Sequence, residues 1–67
     1  MGKISENIKY LRKKKGLTQQ QFADAVEIKR SLVGAYEEDR ADPKYDLLIK
    51  LASFFDLTID ELINQKI

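Results

Sequence analysis

Apolar positions recur every three or four residues along most of this chain, and no segment alternates with the period of two that a half-buried strand shows. Ile4, Ile8 and Leu11 share one face, which predicts a first helix from about Ser5 to Lys14, ended at Gly16. Thr18 opens a second. The spacing Thr18-x-x-Gln21 matches a capping box, in which hydroxyl and amide each satisfy an orphan N–H at the helix start. Phe22, Ala23 and Val26 supply its inward face. A third helix is expected from about Lys29 to Glu37, with Leu32, Val33 and Tyr36 apolar, so that only Glu27 and Ile28 remain for the turn.

The polar segment EDRADP reads as a loop. Asp42 is expected to cap a fourth helix whose first residue is Pro43, where a missing N–H does no harm. Leu47, Leu48, Leu51, Ala52 and Phe55 make that helix apolar on more than one side. Thr58-x-x-Glu61 is a second capping box, opening a fifth helix through Leu62 and Ile63. The pattern therefore predicts one all-α domain of five short helices over residues 1–67.

Size and composition narrow what such a domain can do. A chain of 67 residues buries only about 60% of the surface its unfolded form exposes. With no Cys, helix packing is the only glue, and a reducing, cytoplasmic setting is expected. The apolar runs fall well short of the roughly 18 residues that spanning a bilayer requires, and the opening MGKISENIKY lacks a signal peptide's apolar stretch, so no membrane partner is expected. There is no His, no glycine-rich phosphate loop and no carboxylate constellation. Neither an enzyme nor a metal, cofactor or small-molecule site is expected.

Charge changes the picture more. The formal net charge is only +1, but residues 1–34 hold eight Lys or Arg against three acids and residues 35–67 hold four against eight, giving +5 and −4. A chain polarised in this way can turn its positive half towards phosphate. The second and third helices, joined by a tight turn and with Lys29 and Arg30 opening the third, form a helix-turn-helix candidate over about residues 19–37. Ala23 is small where the third helix must cross closely, and Ile28 and Val33 are placed to plug the angle between the pair.

Three blocks in order, IKYLRKKKGLTQQQFADAV, VGAYEEDRADP and LLIKLASFFDLTIDELI, resemble the lambda-repressor-like helix-turn-helix domains of Cro and CI type, from about Ile8 to Leu62. That resemblance implies a five-helix domain whose third helix enters the major groove of double-stranded DNA while the second crosses the phosphate backbone. Lys29, Arg30, Ser31, Gly34 and Ala35 then fall at the outward, base-reading positions. Arg30 leads, because its planar fork can take guanine O6 and N7 together. Gln19 corresponds to the family's phosphate-binding residue at a helix N-terminus, with Gln20, Arg40 and Lys44 as weaker phosphate contacts. Arg12 and Glu37 are expected to pair and tie the first helix to the third.

The sequence departs from the family at three places. Glu27 stands where Gly is usual in the turn, Asp39 where Gly is usual after the third helix, and Leu32 where Ser or Thr is common. The function expected is that of a transcriptional regulator, a dimeric repressor on a palindromic operator; the alternative is a protein-interaction module or antitoxin on the same scaffold. Phe54, Ile59, Ile63 and Ile67 are the expected dimer contacts, the last three forming an i, i+4, i+8 stripe.

Overall fold

The computed structural model describes residues 2–65 and contains five helices: α1 (Gly2–Lys14), α2 (Gln19–Val26), α3 (Arg30–Glu37), α4 (Tyr45–Phe55) and α5 (Ile59–Asn64). Among the described residues there is no strand. The core is built where the inward stripes meet. Ile4, Ile8, Phe22, Ala23, Val26, Val33, Leu51 and Leu62 are each within 1% of full burial. Around this centre α1 packs on α3 and α5, α2 on α3 and α4, and α4 on α5.

Both capping boxes are formed. Thr18 Oγ1 accepts from the Gln21 N–H at 3.1 Å while Gln21 Oε1 accepts from the Thr18 N–H at 2.9 Å, and Thr58 with Glu61 repeats this at 3.0 and 2.9 Å. Two boundaries differ from the expected ones. α1 starts three residues earlier than Ser5, and α4 starts at Tyr45 with Lys44 in the cap position, so Asp42 is not its N-cap and buried Pro43 lies outside the helix.

The helix exits share one device. After α1, α2, α3 and α4 one residue turns left-handed, Gly16, Glu27, Asp39 and Asp56, with φ of 72°, 62°, 59° and 58°. The next N–H then bonds back five residues: Leu17 to Arg12, Ile28 to Ala23, Arg40 to Ala35 and Leu57 to Ala52. This closure satisfies carbonyls that the helix end leaves open, and Leu17, Ile28 and Leu57 follow it down onto the core. Only Gly16 adopts the conformation free of Cβ strain. Side-chain contacts meet two of the other turns. Lys50 Nζ donates to Glu27 Oε1 at 3.1 Å and to the Val26 carbonyl at 3.3 Å, and Ser5 Oγ donates to Asp39 Oδ1 at 3.0 Å.

Asn7 closes the far end of the molecule. It is 3% exposed, and its Nδ2 donates to the carbonyls of Leu62 and Gln65 at 2.8 and 2.7 Å, fastening the end of α5 to α1. Asn7→Leu is expected to cost about 1–3 kcal/mol by leaving the buried Leu62 carbonyl without its side-chain donor, read from the urea midpoint at unchanged slope.

The apolar stripe expected to be free for a partner is half consumed by the fold. Phe54, Ile59 and Ile63 are partly buried and pack against the core. Ile67 lies outside the described residues. The large apolar side chains left outermost on α4 are Tyr45, 66% exposed, and Ile49, 46% exposed.

Candidate nucleic-acid interface

α2 and α3 are held at a fixed angle by the left-handed Glu27, by half-buried Ile28 and by fully buried Val33. The turn delivers α3 with its first residues pointing away from the core. Lys29, in the cap position, and Arg30 and Ser31, on the first turn, are all exposed. Lys29 has no side-chain acceptor, so the first N–H groups of α3 keep no side-chain cap. The positive end of the helix and two cationic side chains therefore share one surface, which suits a polyanion.

Behind that surface lies a connected set of polar side chains. Arg12 Nε and Nη2 donate to the two oxygens of Glu37 at 2.6 and 3.1 Å, with the side chains only 10% and 3% exposed. Arg12 Nη1 donates to the Leu17 carbonyl at 2.7 Å. Gln19, first residue of α2, extends the set outwards. Its Nε2 donates to Glu37 Oε1 at 3.1 Å, and its Oε1 accepts from Arg30 Nη1 at 3.1 Å. Arg30 is thus anchored by one nitrogen, and its Nε and Nη2 edge is left for another acceptor. On the inward face of α3, burial raises the Tyr36 phenol above its ordinary value near 10.0.

Gly34 and Ala35 are not on the outward surface as expected; both are buried. They follow Arg30 and Ser31 by one turn, but the side chains of Gln19 and Glu38 lean over the helix at Gly34. A Cβ added there would meet Glu38 Oε2 at 3.9 Å and Gln19 Oε1 at 4.0 Å, ordinary contact distances. Gly34→Ala is therefore expected to raise stability by about 0.5–1 kcal/mol, the usual cost of a mid-helix glycine. If close backbone approach is what Gly34 contributes, duplex binding weakens in the same variant. Thermal unfolding and duplex titration of one preparation separate the two.

The remaining predicted residues are dispersed. Gln20 is exposed and donates to Asp24 Oδ1 at 2.8 Å, Lys44 is exposed at the start of α4, and Arg40 pairs with Glu38 at 2.9 Å with both side chains over 60% exposed. An ion pair that open is worth little and yields readily to a better acceptor. The lysines ending α1 are exposed too, Lys14 above the Tyr10 ring at 5.9 Å and Lys15 above the Phe54 ring at 5.1 Å. Leu32, 38% exposed, lines an open apolar groove with Ile28, Tyr36, Ala41 and Leu47. The links from Gln19 to Glu37 and to Arg30 are absent from the sequence reading, as is Asn7. The apolar spacing of α1 carried a trace of Asn7, which lies between Ile4 and Leu11 on the same face.

Among the described residues no helix is long and apolar enough to cross a membrane, and no cluster of three metal-ligating side chains occurs. The helix-turn-helix family model matches residues 8–62. The chain is 41% identical over 61 residues to the HTH-type transcriptional regulator YqaE of Bacillus subtilis (strain 168), covering 91% of this chain and 53% of that protein. It is 33% identical, also over 61 residues, to the HTH-type transcriptional activator BcrR of Enterococcus faecalis, covering 91% and 30%. A crystal structure of a transcriptional regulator from Listeria innocua superposes with a TM-score of 0.82 at 36% identity, covering 88% of this chain and 55% of that one. The chain thus spans about half, or less, of the length of these relatives.

Proposed function

Because the chain belongs to the helix-turn-helix family, we propose that it is a sequence-specific regulator of transcription that binds double-stranded DNA through α3 in the major groove. The observation that carries this reading is the exposed start of α3. Lys29, Arg30 and Ser31 stand there together, with Arg30 held by Gln19 so that part of its fork faces outwards. Gln19 contributes the phosphate contact at the start of α2, and Gln20, Arg40 and Lys44 add weaker ones.

The protein acts as a two-fold dimer on a palindromic site, its halves about 34–36 Å apart or a multiple of that, joined through α4 and α5. Exposed Tyr45 and Ile49 support that face. Sedimentation over a range of concentrations tests the dimer, and a monomer throughout removes it. Repression is the direction proposed, since occupying an operator and excluding polymerase needs only the binding argued above.

Selection from a randomised duplex pool at two salt concentrations, wild type beside Arg30→Ala, tests the reading. An enriched site is expected, with affinity falling steeply as salt rises. The variant is expected to lose about 1–3 kcal/mol of discrimination at one base pair. A protein-interaction module is the second reading, favoured by the apolar groove at Leu32. Absence of duplex binding even in low salt would select it.

A further inference from the structure

We propose that Glu37, although buried behind the recognition surface, is a positioning residue for base discrimination: its carboxylate dictates which end of the Gln19 amide faces Arg30. The inference rests on Arg30 being a base-reading side chain. An ionised carboxylate accepts hydrogen bonds and donates none, so the atom of Gln19 that lies 3.1 Å from Glu37 Oε1 is Nε2. The amide is planar, and its other corner is therefore Oε1, an acceptor set 3.1 Å from Arg30 Nη1. Reversed, the amide would set its NH2 against a guanidinium that only donates and its oxygen against a carboxylate that only accepts.

Glu37 is itself held in one orientation. Arg12 grips both its oxygens at 2.6 and 3.1 Å, Arg12 in turn is tied to the Leu17 carbonyl at 2.7 Å, and the Glu37 side chain is 3% exposed, which leaves water little room to substitute. Polarity set in the interior is passed through one amide to the first turn of α3. Pinning Nη1 restricts the rotamers of Arg30 and presents the Nε and Nη2 edge, a planar pair of donors that matches guanine O6 and N7. The second Nε2 hydrogen of Gln19 stays available to a phosphate oxygen.

The variant that tests this is Glu37→Gln, close in shape. With a single amide oxygen the side chain can no longer accept from Arg12 Nε, Arg12 Nη2 and Gln19 Nε2 together, so the carboxylate's hold on the Gln19 amide is lost. The probe is the duplex enriched by wild type, competed against the same duplex changed at the base pair to which Arg30→Ala is sensitive. Wild-type preference is expected to fall roughly tenfold in Glu37→Gln, to the level of Arg30→Ala. In a Gln19→Ala background the same Glu37 change is expected to shift preference no further. Gln19→Met leaves the Arg12–Glu37 pair whole and carries the same expected loss should Glu37→Gln fail to fold. Weaker binding to both duplexes with preference intact, in either variant, overturns the positioning role and leaves base reading by Arg30 standing. Failure of wild type to enrich any duplex overturns both.

Discussion

Arg12→Met is expected to lose about 3–5 kcal/mol of stability, enough to unfold much of the population of so small a domain. The charge removed is not the reason. Glu37 would remain 97% covered with no cation, keeping only the Gln19 N–H as donor, and the Leu17 carbonyl would lose its guanidinium contact. A carboxylate stranded in this way bears its desolvation without compensation. The double variant Arg12→Met with Glu37→Leu is expected to recover most of the loss, because two apolar side chains of similar volume leave no charge behind. Urea unfolding of the wild type, the single and the double variants gives the coupling directly. A single variant within 1 kcal/mol of wild type would show the pair to be dispensable. The double variant is also expected to fold without discriminating bases, since Gln19 then has no carboxylate to orient it.

Phe22→Ala is expected to cost a similar amount, about 3–5 kcal/mol, by a different mechanism. Phe22 has no exposed surface and sits where three aromatic rings meet. Its centroid is 5.6 Å from Phe55, nearly stacked, and 5.8 Å from Phe54, tilted, while Phe54 and Phe55 meet edge to face at 5.2 Å. Those contacts lock α2 to α4. Removing the ring opens a cavity among buried side chains, which close it only in part. A chain of this size has about 3–10 kcal/mol in all, so thermal melts should show a lost or strongly lowered transition. Phe22→Leu, which keeps most of the volume, is expected to stay folded. Because α2 carries Gln19, any residual folded Phe22→Ala should bind duplex with less preference among sites.

What the sequence determined by itself was everything set by near neighbours. The inward faces of the helices, the two capping boxes and the stop at Gly16 depend on residues within one or two turns of each other, and local hydrogen bonding needs nothing further. The tight turn and the exposed Lys29, Arg30 and Ser31 follow from the same short-range spacing. The end of the loop between α3 and α4 did not, since Asp42-Pro43 is a sound local start for a helix that begins only at Tyr45. Glu27 shows a related limit: a long side chain in a left-handed turn goes against its local preference, and closure of α2 through the Ile28 N–H accompanies it.

The tertiary structure decided which side chains spaced far apart in the chain share a partner. Asn7 reaches carbonyls 55 and 58 residues away, and although its spacing sets it on the inward face, nothing local names those partners. Gly34 and Ala35 hold outward register on a helix drawn alone, yet both lie buried in the folded chain, Gly34 beside the side chains of Gln19 and Glu38. Phe54, Ile59 and Ile63 had the spacing of a partner stripe and lie partly buried against the core. Most of all, the path from Arg12 through Glu37 and Gln19 to Arg30 joins three helices, and each hydrogen bond in it exists only because packing brings those helices together. A sequence pattern reports which face a residue occupies; the direction of a hydrogen bond across an interface depends on three-dimensional distances, which only the packed chain supplies.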